Sequence, residues 1–207
     1  MIVRTLTVGD MIPTNSYFYI NEKTKHGFLI DPAAEASLLI GIIKKENWTI
    51  EKMLLTHGHF DHIGAVAEIH NKLNIPYYIH QNGHKYLTNS GYNLSIYSQS
   101  EIILNDGHYL QDADEIILEE NPTVRLQVLY VPGHTTDSVI YYDKKNALAF
   151  VGDTIFKGNV GATHFPGGNA QRLYQSIREK IFTLPDNTKL YSGHSGVTTV
   201  AEEKKLY

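Results

Sequence analysis

The chain has 207 residues, of which 42% are hydrophobic and 19% charged, and its formal net charge is −4. These values are typical of a folded globular protein, because a disordered chain has fewer apolar groups and more charge. The slight acidity argues against a nucleic-acid-binding surface, and the absence of cysteine excludes disulfides, thiolate metal sites and cysteine nucleophiles.

The first half of the chain alternates short β-rich runs with helical segments. The amino terminus lacks the basic segment, apolar core and cleavage site of a secretion signal, so we interpret it as a first strand and expect a cytoplasmic protein. No apolar run reaches the roughly 20 residues that cross a bilayer, so we expect no membrane association. The patterning predicts strands over 14–20, 27–30, 52–55 and 77–80, and helices over 34–45 and 64–73.

The second half of the chain is richer in strands. The segment 81–100 is polar and rich in Asn, Ser and Tyr, which favours a helix followed by a loop that borders a pocket. We predict strands over 115–119, 124–130, 138–142, 147–151 and 189–191, helices over 170–182 and 199–206, and a glycine-rich loop over 158–168. Because both halves mix strands and helices, we predict a single α/β domain over residues 1–207 with two layers of sheet.

A dense cluster of potential metal ligands follows the predicted strand 52–55. It contains His57, His59, Asp61 and His62 within six residues. A spacing of two in extended chain puts His57 and His59 on the same side, and a tightening loop or helix start could turn Asp61 and His62 back toward them. A loop that needs only to be soluble does not explain this density, so we interpret the cluster as part of a metal site.

Three more candidate ligands each follow a strand-like run and a glycine. They are His134, Asp153 and His194, preceded directly by Gly133, Gly152 and Gly193. A glycine suits a tight turn with the backbone close to another group, and open sheets build sites from residues delivered by several strand ends to one edge. The repeated pattern therefore favours a common site for all of these residues.

Seven nitrogen and oxygen donors are more than one tetrahedral zinc ion can use. They suit two divalent ions about 3.5–4 Å apart, an arrangement that activates water for hydrolysis. The all-N/O donor set is compatible with zinc, manganese or iron. A carboxylate can bridge two ions with its two oxygens, and the isolated Asp153 is the natural candidate.

The pattern His57-x-His59-x-Asp61-His62, followed by His134, Asp153 and His194, resembles the metal signature of the metallo-β-lactamase superfamily, with each motif in family order. The resemblance implies a four-layered αββα sandwich with the metals at one edge between the sheets. It also implies one metal site from His57, His59 and His134, a second from Asp61, His62 and His194, and Asp153 as the bridge.

Within that superfamily the chain is most similar to the glyoxalase II-like hydrolases, in the stretches 13–17, 31–32, 132–135, 152–156 and 193–199. The resemblance implies two zinc ions and hydrolysis of a small acyl thioester, such as S-lactoylglutathione, by a hydroxide shared between the metals. Asp61 would orient that hydroxide as well as bind metal. A β-lactamase is less similar, because the chain has no cysteine and no export signal.

Two departures from the glyoxalase II-like pattern concern the substrate. Residues 161–164 read Gly-Ala-Thr-His where many such chains have Gly-Arg-x-Asp, and we expect no C-terminal helical domain of the kind that binds glutathione in two-domain enzymes. The thiol carrier is therefore open. Lys157 could bind a substrate carboxylate, and His164, in the glycine-rich loop, could line the pocket.

Three alternatives use the same seven ligands and stay open at this point. The first is a mononuclear iron enzyme that oxidises a persulfide with oxygen, the second is a lactonase, and the third is a metal-binding domain without turnover. The partner we expect is a small-molecule substrate. The sequence does not determine the oligomeric state.

Overall fold

The computed structural model describes residues 1–207, and its framework is a pair of six-stranded sheets. The first sheet has the strand order β1-β2-β3-β4-β5-β6, with β1 to β3 antiparallel and β3 to β6 parallel. Its strands are β1 (Ile2–Val8), β2 (Thr14–Ile20), β3 (His26–Ile30), β4 (Thr49–Leu54), β5 (Tyr77–His80) and β6 (His108–Leu110).

The second sheet has the order β14-β13-β10-β9-β8-β7. It is antiparallel except for the parallel pair β10 and β13, so β8, β10 and β13 all run in one direction. Its strands are β7 (Glu115–Ile117), β8 (Arg125–Tyr130), β9 (Val139–Asp143), β10 (Leu148–Gly152), β13 (Lys189–Ser192) and β14 (Thr198–Thr199). A small hairpin of β11 (Ile155–Phe156) and β12 (Asn159–Val160) lies apart from it.

Helices cover the outer face of each sheet. The α-helices are α1 (Ala36–Lys45), α2 (Phe60–Ile63), α3 (Val66–Leu73), α4 (His84–Leu87), α5 (Ala170–Ser176) and α6 (Val200–Glu203), with a π-helical turn at Ile177–Ile181 and 3₁₀ turns at Gln81–Gly83 and Ser95–Tyr97. None of these helices is long and apolar enough to cross a membrane.

Strand alternation produces the layers, as β2 shows. All seven of its residues are buried, because successive side chains point to opposite faces and both faces are covered. Tyr17 and Tyr19 pack in the core between the two sheets, whereas Phe18 and Ile20 pack with α1 and α3 on the outer side. A third apolar cluster packs α5 against the outer face of the second sheet. The predicted αββα sandwich is confirmed.

Most predicted elements occur within a few residues of their expected bounds, and the differences are local. The helix predicted over 170–182 is α-helical only to Ser176 and continues as the π-helical turn. The helix predicted over 199–206 is the single turn α6, and the predicted loop 158–168 begins with β12. Strand β6 was not predicted; it has only three residues and is ordered by pairing with β5.

Candidate metal centre

All seven candidate ligands lie together at one edge of the sandwich. They follow the carboxyl ends of β4 in the first sheet and of β8, β10 and β13 in the second. Because β8, β10 and β13 run in the same direction, their carboxyl ends meet at a common edge. Their donor atoms form three overlapping groups, in each of which all atoms lie within 4.8 Å of one another.

Three histidines form the first group, which we call the first triad: His57, His59 and His134. His57 Nε2 lies 3.1 Å from His59 Nδ1, and His134 Nε2 lies 3.0 Å from the same atom. All three side chains are buried. The three nitrogens thus converge on one point from two loops on different sheets.

The second triad is Asp61, His62 and His194. His194 Nε2 lies 3.3 Å from Asp61 Oδ2, and His62 Nε2 lies 3.7 Å from that oxygen. Asp153 lies between the triads, with Oδ1 3.3 Å from His62 Nε2 and Oδ2 3.2 Å from His194 Nε2. Its Oδ2 is also 3.6 Å from His134 Nε2, so this carboxylate reaches both triads.

The turn after β4 explains how neighbouring residues converge. His57 and His59 lie beyond the end of the strand, and the short helix α2 turns Asp61 and His62 back to the same point. Asp31 fixes this turn: its Oδ1 accepts a hydrogen bond from the Thr56 N–H at 2.7 Å, and its Oδ2 accepts from the Thr56 hydroxyl at 2.7 Å. A carboxylate at the end of the neighbouring strand β3 therefore positions the turn.

Outer hydrogen bonds orient three of the imidazoles. His62 Nδ1–H donates to Asp31 Oδ2 at 2.9 Å, His134 Nδ1–H to the Ala162 carbonyl at 2.6 Å, and His194 Nδ1–H to the Pro13 carbonyl at 2.9 Å. In each case the acceptor fixes the tautomer that leaves Nε2 free inside the cluster. This is the arrangement that metal-ligating histidines adopt.

Two buried polar atoms in the centre support a bound cation. His62 Nε2 and Asp153 Oδ1 have no hydrogen-bond partner of good geometry although they are 3.3 Å apart. Buried polar atoms are normally paired, and a divalent cation between them would satisfy both. The donor set is imidazole and carboxylate, which suits zinc, manganese and iron. The residues present therefore fit a metal centre.

The glycines that precede the ligands are required by close packing. A Cβ on Gly193 would lie 2.3 Å from Asp153 Oδ1 and 2.6 Å from His62 Cε1. Gly152 has φ of +49°, and a Cβ there would lie 2.3 Å from the Thr56 hydroxyl. Larger residues at either position would push the ligand loops apart.

Burial lowers the pKa of every imidazole in the first triad. Together with the neighbouring imidazoles it holds the pKa of His57 well below its usual value and lowers that of His59 to about 3. The pKa of His134 is also lowered by burial, against the opposing effect of Asp153. The first triad is therefore neutral at physiological pH, the form that binds metal.

Carboxylates determine protonation in the second triad. Burial alone would lower the pKa of His194, but hydrogen bonds to Asp153 and Asp61 raise it to about 10. Burial alone would also lower the pKa of His62, but the carboxylates of Asp153, Asp61 and Asp31 raise it well above its usual value. Burial would raise the pKa of Asp153, but His62 and His194 hold it well below its usual value. A divalent cation bound here would take the place of these protons.

The two residues predicted to bind substrate lie outside the cluster. Lys157 is exposed, and its backbone N–H donates to the Ser195 hydroxyl at 2.9 Å. His164 is exposed and packs on Phe165, with ring centroids 4.1 Å apart; Phe165 in turn faces His59. Both therefore border the centre without contacting its ligands.

Two carboxylates near the centre, Asp31 and Asp137, were not predicted from the sequence to be site residues, although the stretch 31–32 contributes to the family resemblance. Asp31 follows a buried strand, so the strand-end pattern that identified the ligands could have identified it. Asp137 is fully buried, and neither of its oxygens has a hydrogen bond of good geometry, although the Thr135 hydroxyl and the Gly58 N–H lie nearby. Burial raises its pKa to about 7. No local sequence signal distinguishes it from a loop aspartate.

A family model described as the metallo-β-lactamase superfamily matches residues 9–194. The chain belongs to this superfamily. Among curated relatives, it is 38% identical to the probable metallo-hydrolase YqgX of Bacillus subtilis, over 97% of this chain and 93% of that protein. It is 30% identical to the hydroxyacylglutathione hydrolase GloC of Haemophilus influenzae, over 95% of this chain and 94% of that protein.

Solved structures give the same family relationship. The crystal structure of the BLEG-1 B3 metallo-beta-lactamase is 33% identical with a TM-score of 0.92, covering 99% of this chain and 97% of that one. TTHA1623, crystallised in a di-iron-bound form, is 28% identical with a TM-score of 0.87, covering 99% and 98%. ETHE1 from Myxococcus xanthus is 30% identical with a TM-score of 0.80, covering 99% and 82%. The names of these neighbours point to different proteins, and one of them is described with iron, so the substrate has to be inferred separately.

Proposed function

We propose that the chain is a dinuclear metal hydrolase that cleaves a small acyl thioester, with residues 1–207 acting as one domain. The observation that carries the proposal is the pair of triads joined by Asp153, whose two oxygens reach His134 in one triad and His62 and His194 in the other. This donor set is sufficient for two ions, and we expect zinc at both. The similarity to GloC supports the thioester as the bond that is cleaved.

Bound at these residues, two ions would supply an activated water and stabilise negative charge on the substrate carbonyl oxygen. The chain's own groups position the reaction. Asp61 is the ligand carboxylate that also borders an open cleft, and its Oδ2 lies 3.4 Å from the Thr14 hydroxyl, which fixes its orientation. Asp61 is thereby placed to accept a hydrogen bond from water and orient it. A thiolate leaves readily, so no strong protein acid is required.

The substrate-binding residues follow from the same geometry. The backbone of Lys157 donates to the hydroxyl of Ser195, the residue after the ligand His194, so we propose that the Lys157 side chain binds a carboxylate of the thiol carrier. We propose that His164 and Phe165 form the wall over His59. The partner is a small molecule, and the chain requires neither nucleic acid nor a membrane.

The test combines metal analysis with a substrate panel. We expect about two zinc ions per chain by inductively coupled plasma mass spectrometry and hydrolysis of S-lactoylglutathione or of a simpler thioester. If the chain instead contains one iron ion and takes up oxygen when a persulfide is added, the reaction is an oxidation and the hydrolase proposal is wrong. Two metal ions with cleavage of lactones and not of thioesters would change the bond that is cleaved. If the chain binds no metal even after reconstitution, it is not a metallohydrolase.

One comparison favours a second candidate function. The BLEG-1 structure is similar over nearly the whole of both chains, so β-lactam hydrolysis is a candidate for this chain. A chromogenic cephalosporin in the same panel tests it. Turnover of the cephalosporin above that of every thioester would replace the thioester proposal by this one.

A further inference from the structure

A cleft adjoins the second triad on the side of Asp61. It lies between the β1–β2 loop and the segment 98–102, and its floor includes Phe60, Asp61 and the 33–35 turn. Its volume is about 300 Å³. Because Asp61 Oδ2 is only 3.3 Å from His194 Nε2, a molecule in this cleft would be continuous with the reacting centre.

Apolar side chains form the walls of the cleft. Met11 and Ile12 come from the β1–β2 loop, Phe60 from the ligand turn and Ile102 from the facing segment. Met11 is 60% exposed and Ile12 39%. Leaving such surface in water costs about 25 cal/mol per Å², and apolar exposure concentrated beside a polar centre marks a binding site.

The same exposure continues along the facing segment. Ile96, Tyr97 and Ile103 are all large, apolar and exposed. In sequence they flank the stretch 98–102, of which Ser98, Gln99, Ser100 and Ile102 line the cleft.

The charges that line the cleft are all negative. Besides Asp61 they are Asp10 and Glu35, both exposed, and no lysine or arginine lines the cleft. Glu35 accepts a hydrogen bond from the Gly9 N–H at 3.1 Å, which holds this carboxylate at the cleft. Away from the metal ligand Asp61, an anionic group in the cleft would meet the carboxylates of Asp10 and Glu35 and no lysine or arginine, which disfavours it.

We infer that this cleft binds the acyl part of the substrate, and that this part is a short aliphatic group without a carboxylate. The inference rests on the proposed thioester hydrolysis and names the substrate class for that site. The thiol carrier then lies outside this cleft, toward Lys157, which does not line it. An acyl group ending in a carboxylate is disfavoured by the charge of the cleft, and an acetyl group is too short to use its apolar wall.

The test compares acyl groups on one neutral thiol, N-acetylcysteamine. We expect kcat/KM for the butyryl thioester to exceed that for the succinyl thioester, of similar length, by about tenfold or more. The variant Asp10→Lys is expected to narrow this ratio, with Glu22→Lys, in the β2–β3 turn, as the matched control. The variant Met11→Ser is expected to lower the butyryl value about tenfold, with Ile117→Ser, an exposed isoleucine on β7, as the control.

A binding measurement separates this inference from the proposed function. Calorimetry on the metal-loaded protein compares S-butyl and S-(3-carboxypropyl) thioethers of the same thiol, which cannot be hydrolysed. Tighter binding of the butyl compound, lost in Met11→Ser, supports the cleft even if no thioester is cleaved. Thioester cleavage without any preference between butyryl and succinyl overturns the inference and leaves the proposed function. Equal or absent binding of both thioethers also overturns it.

Discussion

The two triads of the metal centre differ in chemistry and in access to solvent. The first consists of three buried histidines whose pKa values are lowered by burial. The second contains a carboxylate, and its His194 side chain is 22% exposed with a pKa raised to about 10. The first triad is therefore preformed for a cation, whereas the second has to lose protons to bind one and adjoins the cleft that we propose to bind substrate.

Removing one ligand from each triad should give the largest effects and should separate the triads. We expect His59→Ala to lose activity and both ions, because Asp153 and the second triad then lack a neighbouring cation to organise them. We expect His194→Ala to keep about one ion per chain with activity reduced but measurable. Metal content and thioester turnover of the purified variants check this.

The control for these variants is His108→Ala, since His108 is exposed and stacks on Tyr78 away from the centre. It should keep the metal content and the turnover of the parent chain. Equal metal loss from His59→Ala and His194→Ala would contradict the distinction between the triads.

A smaller effect is expected from Asp31→Asn. Asp31 accepts from His62 Nδ1–H and from both donors of Thr56, so it supports the second triad directly and the first through the turn. Replacing such an outer partner typically costs 10–100-fold in metal affinity or activity. We expect a loss in this range, mainly in the second ion, measured by competition with a metal chelator. Asp106→Asn, at an exposed loop position, is the control. A loss of affinity confined to the first ion would contradict the assignment of Asp31 to the second triad.

These residues also show how far the sequence alone could reach. The strand–glycine–ligand pattern found His134, Asp153 and His194 because each motif is local and follows a strand-like run. Asp31 was missed because an aspartate before proline also ends strands for reasons of turn geometry alone. Asp137 could not have been found, since its burial depends on packing beneath a turn that is distant in sequence.

The cleft beside Asp61 was beyond prediction for a similar reason. Its walls come from the β1–β2 loop and from the segment 98–102, which have no shared periodicity and meet only in the folded chain. The sequence did indicate that 81–100 borders a pocket, and residues 98–100 line this cleft. The mixed α/β character and the two layers of sheet were predictable because the strand-like runs and the helical pattern of 34–45 are local signals, whereas the αββα order of the layers was expected only from the family resemblance.

The pH dependence of metal uptake should sharpen the comparison further. The first triad is neutral at pH 7, since its pKa values lie below the usual 6.5, and it stays neutral as the pH falls moderately. His194 has a pKa raised to about 10, so it is protonated at pH 7 and must release its proton to bind metal. We expect the affinity for the second ion to rise with pH, up to about tenfold per pH unit for each proton released, and that for the first to change little.

Calorimetry in buffers of different ionisation enthalpy counts the protons released with each ion. Proton release should accompany the second binding event and be close to zero for the first between pH 6 and 8. The same pH dependence in both events would show that the triads titrate as one unit. A flat dependence in both would show that the second triad is already deprotonated.

The smallest effect is expected at Lys157, which we propose to contact the thiol carrier. Its side chain is exposed, and it is one of the groups that lower the pKa of Glu202, after the hydrogen bonds from Thr198 and Thr199. An exposed ion pair contributes about 0–1 kcal/mol, so Lys157→Ala should raise KM for a carrier with carboxylates, such as glutathione, by no more than about fivefold. Lys23→Ala, which changes an exposed lysine in the β2–β3 turn, is the control. If KM rises equally for the neutral N-acetylcysteamine carrier, the substitution acts through the Ser195 loop. If the variant loses the second ion, it acts through His194. Only a rise in KM that is specific to the anionic carrier assigns Lys157 to the substrate.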